Sequence, residues 1–329
     1  MTTLYDVAAI GNAIVDVIAP ASDDFLAEEN LVKGSMMLID DERAVGLYAR
    51  MAAAVEASGG SAGNTVAGVA SLGGRGVHIG RIGRDQLGDV FAHDMDAIGA
   101  RFVGGRMDDA TPTGRCLISV TPDGQRTMST CLGAAALLSP GDVDPAVIES
   151  ARIVYLEGYL FDPDEARRAF AKAAGLARAS ERLIALSLSD AFVVDRHRGG
   201  LQGFIDTEVD VLFANEAEIT SLFQTDDFDA AVAAVRGRAR IAAVTCGAKG
   251  SVIVAGDTIH KIEAAPVEKV VDTTGAGDQY AAGFLFGLAQ GRSLDYCGRL
   301  GSLAAAEVIS HYGPRPQVSL KDLATVAGL

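Results

Sequence analysis

Residues 209–246 read VDVLFANEAEITSLFQTDDFDAAVAAVRGRARIAAVTC. Val209–Ala214 is an apolar run of strand length, and Glu216–Phe223 and Asp229–Arg238 have helical character. Ala242–Cys246 then returns to a short apolar run. Two strand-length runs joined by helical sequence indicate a crossover connection, because parallel neighbours cannot be joined by a tight turn.

The same rhythm extends outward in both directions. Upstream lie apolar runs at Arg152–Leu156 and Leu183–Leu188, with a helical stretch at Asp164–Ala179 between them; downstream lies Ser251–Ala255. Near the N-terminus, Tyr5–Ile10 reads as a buried strand ending at Gly11-Asn12. The glycine-rich Gly59–Gly63 introduces a helix at Asn64–Leu72, followed by a strand at Val77–Ile79 and a turn-rich segment at Gly80–Asp89. Strands alternating with helices predict an α/β fold in three α/β/α layers, with a mainly parallel central sheet covered on both faces. Two regions break the rhythm: Leu31–Ile39 is strand-like, and Thr113–Val120 with Arg126–Cys131 forms a hairpin around Pro122-Asp123-Gly124. They predict a small β-rich lid, from segments near 13–40 and 104–132, over one domain spanning 1–329.

Lys and Arg number 28 against 43 Asp and Glu, a formal charge of −15. Binding a nucleic-acid backbone needs a basic face, so this balance excludes that partner class while leaving room for one small anion. The cysteines at 116, 131, 246 and 297 are scattered and make neither a disulfide framework nor a zinc site, which predicts a reducing, cytoplasmic setting. The N-terminus carries no basic segment ahead of an apolar run, and no apolar stretch reaches the ~18–20 residues of a membrane helix. The expected partners are therefore small molecules.

Asp272-Thr273-Thr274-Gly275-Ala276-Gly277-Asp278 carries the chemistry. A strand-like approach at Lys269–Val271, a glycine turn and the apolar helical stretch Gln279–Ala289 together make an anion site, with helix-terminal amides pointing outward. Asp278 has two readings. It is a helix cap, or it is a base that takes a proton from a hydroxyl attacking a phosphoryl group. The chain has neither a G-x-x-x-x-G-K-[ST] loop nor a G-x-G-x-x-G fingerprint after a strand, which sets aside P-loop enzymes and dinucleotide-dependent dehydrogenases.

Several motifs in order resemble the ribokinase-like (PfkB) kinases, and within them the adenosine kinases, nearly end to end. They are D-T-T-G-A-G-D at 272–278, Gly59-Gly60-Ser61-Ala62-Gly63-Asn64, Gly80-Arg81-Ile82-Gly83-Arg84-Asp85, Asn215-Glu216-Ala217-Glu218 and Thr245-Cys246-Gly247-Ala248-Lys249-Gly250. The resemblance implies an ATP-dependent kinase in which Gly275, Ala276 and Gly277 form an anion hole and Asp278 is the general base. It implies that Asn12, Asp16, Gly60, Ser61 and Asn64 hold the acceptor's hydroxyls. ATP would be bound by Asn215, Thr245, Gly247 and Gly250, with Ser302 near the adenine and Arg126 reaching from the lid to the phosphates. Asn215 and Glu218 would organise Mg²⁺ through its waters; read apart from the other motifs, the pair is a capping asparagine beside a solvated glutamate, with Glu216 a competing carboxylate. Asp272 and Thr274, with backbone near Ser310–Gly313, match a monovalent-cation (K⁺) site common in the family.

For the acceptor, Gly-Asn-x-x-x-Asp and Gly-Gly-Ser-x-x-Asn have the adenosine-kinase spacing, and Ser187–Phe192 and Asp210–Glu216 resemble segments of that subgroup. Tyr159 and Phe192 are the candidates to stack on a base. The chain has no tryptophan and 6% aromatics, so a fructokinase-like or ribokinase-like sugar kinase stays open. A non-catalytic ligand-binding relative is the alternative from another class. Monomer and homodimer are both compatible with the sequence, since family lids serve as covers or as dimer surfaces.

Overall fold

The computed structural model describes residues 3–329. Its strands, numbered in chain order, are β1 Tyr5–Ile10, β2 Ile14–Pro20, β3 Met36–Leu38, β4 Val55–Ser58, β5 Gly76–Ile82, β6 Arg101–Arg106, β7 Gly114–Val120, β8 Arg126–Cys131, β9 Ala151–Glu157, β10 Leu183–Ser187, β11 Val211–Asn215, β12 Ile241–Thr245, β13 Ser251–Ala255 and β14 Thr258–Ile262. Nine build the main sheet in the order β14-β13-β12-β11-β10-β9-β1-β5-β6. The strands from β12 to β6 pair in parallel, and β13 and β14 close the other edge antiparallel.

Strand alternation explains the three layers. Ala8, Ile10, Val154, Leu156, Ile184, Leu186 and Leu212 point into one apolar layer, shared with Ala166, Phe170 and Ala173 of helix Asp164–Ala179. Their chain neighbours Val7, Ala9, Ile153, Tyr155, Ala185 and Phe213 point into the other, with Val66 and Val69 of helix Ser61–Ser71 and Phe284 and Leu285 of helix Ala276–Ala289. Side chains on a strand take opposite faces in turn, so a strand buried on both sides reads as one continuous apolar run.

The second sheet is five-stranded, β3-β8-β7-β2-β4, and mixes parallel and antiparallel pairs. Its limits differ from the expected lid segments. Gly104 and Gly105 pair with β5 in the main sheet, and the second sheet gains β4, which lies beyond residue 40. Only Met36–Leu38 of the strand-like Leu31–Ile39 is a strand, paired in parallel with Met128–Thr130 of β8. The approach to the glycine turn at 269–271 is not a strand; Val271 N–H instead donates to Ile309 O at 2.8 Å. The segment read as turn-rich contains the end of β5 and the start of helix Gln86–Ala97, capped by Asp85.

β1 passes through Gly11–Ala13 directly into β2, so the C-terminal edge of the main sheet meets the second sheet at Asn12. Glu157, Asn215 and Thr245 also stand at C-terminal strand ends on this edge, where open α/β sheets receive ligands.

Candidate active site

Two helices pack side by side from this edge, and both begin on glycine. Helix Ser61–Ser71 starts after Gly60 at φ 81° and helix Ala276–Ala289 after Gly275 at φ 79°; neither first turn is capped by a side chain. A Cβ at Gly60 would run into Asn12 O, and one at Gly275 would lie 2.7 Å from Pro314. Only glycine meets both the positive φ and the close approach.

Asp278, in the first turn of the second helix, does not cap it. Its Oδ1 accepts from Ser61 Oγ at 2.6 Å and its Oδ2 from Asn64 Nδ2 at 2.9 Å. Burial raises the pKa of this carboxyl; the bonds from Ser61 and Asn64 and the charge of Arg315 act against the rise. Gln279, fully buried, donates from Nε2 to Asn64 O at 2.9 Å and to Pro314 O at 3.0 Å, fixing the two helices and the 313–316 loop together.

On the acceptor side, Asn12 and Asp16 are buried. Asn12 donates its Nδ2 to Glu157 Oε1 at 2.7 Å and leaves Oδ1 without a partner. Glu157 also accepts from Ala62 N at 2.8 Å, and burial pushes its pKa up to about 7. Asp16 packs against the bare backbone of Gly59, where a Cβ would sit 2.5 Å from its carboxylate. Burial lifts Asp16 to about 6, with Arg315 and Arg126 pulling it down. The five residues predicted to hold the acceptor are thus assembled around Asp278. Glu157 was missed because a glutamate closing an apolar strand carries no local motif, and Arg315 because its partners lie more than 200 residues away in sequence.

Asn215 and Glu218 form a complete capping box: Asn215 Oδ1 accepts from Glu218 N at 2.9 Å, and Glu218 Oε2 accepts from Asn215 N at 3.0 Å. Glu218 is buried rather than solvated, and burial raises its pKa to about 7, with Asp190 and Asp278 adding to the rise. The competing Glu216 instead pairs with Lys249 at 3.2 Å. Thr245 closes β12, Gly247 sits at φ 56° and Gly250 at φ 89°. Ser302 spends its hydroxyl on the backbone, accepting from Ala265 N at 2.8 Å and donating to Glu263 O at 3.2 Å. It braces the 263–265 segment. Tyr159 is half-buried and its hydroxyl pKa is raised, first by burial and then by Asp190, Asp278, Glu157 and Glu218. Phe192 is 73% exposed at the start of the helix after β10.

Arg126 and Asp272, assigned separately to phosphate and cation binding, pair with each other in this structure. Asp272 also accepts from Thr274 N at 3.0 Å, Thr274 Oγ1 at 2.8 Å and Gly313 N at 3.0 Å. Three of the carboxylate's about four lone-pair sites are thus taken and the Arg126 charge lies against it, so the Asp272 side chain does not fit the role of a K⁺ ligand here. Among the described residues no group of three or more His, Cys, Asp or Glu side chains could hold a metal directly, and no helix is long and apolar enough to cross a membrane.

The pfkB family carbohydrate kinase model matches residues 6–320, and the chain belongs to that family. It resembles an adenosine kinase of Sinorhizobium meliloti at 50% identity and TM-score 0.93, covering 98% of this chain and 99% of that one. A "probable sugar kinase protein" from Rhizobium etli CFN 42 is 48% identical, with TM-score 0.94 and 99% coverage of both chains. The adenosine kinase of Saccharomyces cerevisiae is 26% identical over 93% of this chain and 95% of its own length. The protein is thus a ribokinase-like phosphotransferase with an alcohol group as acceptor, close to the adenosine kinases.

Proposed function

We propose that the chain transfers the γ-phosphoryl group of MgATP to the 5′-hydroxyl of adenosine, with Asp278 as the general base. The observation carrying this reading is the direction of the Asp278 carboxylate. It turns away from its own helix start onto Ser61 and Asn64, leaving the first turn without a side-chain cap; the Ala276 amide of the predicted anion hole donates to Thr273 O at 3.2 Å, and the Gly275 and Gly277 amides stay available to a phosphoryl oxygen. A carboxylate whose pKa is lifted by burial is a better proton acceptor than an exposed one. Asn12, Asp16 and Asn64 aim the hydroxyl, and the second sheet over the cleft excludes water and limits ATP hydrolysis.

Mg²⁺ suits the cleft. Asp190 and Asp278 both bear electrostatically on Glu218, and among the described residues no direct ligand cluster forms, which fits an ion held through its waters by Asn215 and Glu218. When bound with ATP, Mg²⁺ supplies charge neutralisation of the phosphates.

The nucleoside reading is supported by the face that Asp16 shares on the second sheet. Ile14 and Ile18 flank Asp16 on β2, and the register sets Ile118 and Met128 beside them, with Leu38, 56% exposed, at the edge. An apolar floor beside a hydroxyl-binding carboxylate matches a ribose carrying a flat base, whereas a free sugar would leave it uncovered. A phosphorylation screen with adenosine, inosine, ribose and fructose tests this reading. Adenosine is expected to lead the sugars in kcat/KM by about two orders of magnitude, a gap of about 3 kcal/mol in transition-state binding. Preference for fructose or ribose would overturn the nucleoside assignment.

A further inference from the structure

Arg315 belongs to no motif discussed above, yet it reaches the centre of the site. It stands in Gly313-Pro314-Arg315-Pro316, where two prolines restrict the backbone. The loop is braced directly against the glycine turn: Gly313 N donates to Asp272 Oδ2, Pro314 O accepts from Gln279, and Pro314 packs over Gly275. From this anchor the guanidinium spans three elements. It bonds Ser58 Oγ at the end of β4, Nε approaches Asn64 Oδ1 at 3.4 Å, and Nη2 lies 3.7 Å from Met95 Sδ in helix Gln86–Ala97. Ser58 in turn donates from N and Oγ to Asp94 Oδ2 at 2.9 and 3.0 Å.

An asparagine amide presents an acceptor on one side and a donor on the other. With Arg315 holding Asn64 Oδ1, the Nδ2 group is left facing Asp278 Oδ2. We propose that Arg315 is a positioning residue for the phosphoryl-transfer step: it sets the Asn64 amide against Asp278 and supplies a positive charge felt by both Asp278 and Asp16. This inference rests on the reading of Asp278 as the base.

The surroundings agree with that role. The charged and titratable groups bearing on Asp278 are Asp16 from β2, Tyr155 and Glu157 from β9, Tyr159 beyond it, Glu218 from the helix after β11, and Arg315. Arg315 is the one cation in that set. Its own pKa falls to about 10 through burial, held up by Asp16, Asp94 and Asp278. Its charge lowers the pKa of both Asp16 and Asp278, so its removal raises both.

The test measures kcat/KM against pH for wild type, R315Q and R315K, with thermal unfolding of each. In R315Q the acid limb is expected to move up by about one pH unit, as for a carboxylate that loses a neighbouring cation, and kcat at neutral pH to drop about tenfold. R315K keeps the charge without the planar fork. Its acid limb is expected to stay at the wild-type pH while kcat falls several-fold, and this variant carries the test if R315Q does not fold. An unshifted limb in folded R315Q, or wild-type kcat in R315K, would overturn the proposal. D278N is run alongside: if it retains wild-type turnover, the base assignment fails, whatever the Arg315 variants do.

Discussion

The helix starts at Asn215 and Gly275 have the same spacing and opposite outcomes. Each places an acidic residue three positions after the first cap residue: Asn215-Glu-Ala-Glu218 and Gly275-Ala-Gly-Asp278. At the first, the asparagine and glutamate satisfy each other's backbone amides and close the terminus. At the second, glycine offers no side-chain acceptor, and the acid is drawn away by Ser61 and Asn64. A closed terminus stabilises its own helix, whereas an open one keeps amides for a ligand and frees the carboxylate for chemistry. The wider molecule supports the contrast: Ser22, Asp40, Asp85, Asp190, Ser293 and Ser319 all cap their helices with their own side chains.

The most severe way to break this contrast is Asp278→Asn. It keeps the shape and removes the base, so kcat is expected to fall by about 10³-fold, within the range for loss of a general base, while circular dichroism and melting temperature stay near wild type. Comparable turnover by the variant would rule Asp278 out as the base and leave it a structural link between the two helices. Gly275→Ala is expected to lower kcat by about 10²-fold, the scale of losing one oxyanion donor, because the new Cβ meets Pro314 and strains the turn. Steady-state kinetics and urea unfolding together separate the kinetic loss from a stability loss of about 1–3 kcal/mol.

Acidity sharpens the comparison from another side. Burial pushes Glu218 and Glu157 up to about 7 in the folded protein, from an ordinary glutamate value of 4.5. A carboxyl whose pKa rises on folding binds its proton more tightly in the native state. Stability from these groups is therefore full below about pH 4.5, declines as pH rises to about 7, and stays level above that. Urea titrations at pH 5 and pH 8 are expected to show this loss, and Glu218→Gln to reduce the slope. A slope that is unchanged would mean that Glu218 is already ionised in the folded protein without ligand. The smallest expected effect is that of Asn215→Ala, which removes the cap and costs about 1 kcal/mol of stability, read as a drop in melting temperature. A rise in KM for MgATP in the same variant would show that the closed terminus also serves the metal.

Much of this architecture was legible along the chain. The apolar runs mark β1, β9, β10, β11, β12 and β13 because strands buried on both faces leave little room for polar residues. The glycine motifs marked both open helix starts, since positive φ and backbone contact demand glycine. The antiparallel edge strand β14 carries Thr258, His260 and Lys261, and its polar face hid it from a search for apolar runs. β6 was likewise obscured by two glycines and exposed arginines. At the site, Asn12, Asp16, Ser61, Asn64 and Asp278 were placed by motif, whereas Glu157 and Arg315 were not. Their chemistry depends on partners across the fold, and no local pattern encodes it.

The sequence by itself determined where the backbone turns and which acids stand at helix starts, because these follow from local sterics and spacing. It could not choose between a cap and a base for Asp278, nor between a capping pair and a metal-organising pair for Asn215 and Glu218, since both readings satisfy the same spacing. Tertiary structure decided which of the two acids closes its helix: Ser61 and Asn64 draw the Asp278 carboxylate away, while Glu218 completes its box with Asn215. It also decided that Arg126 meets Asp272 and that Arg315 reaches Ser58 and Asn64. Charge and hydrogen bonding act through space, and the distances that set them exist only once the chain has folded.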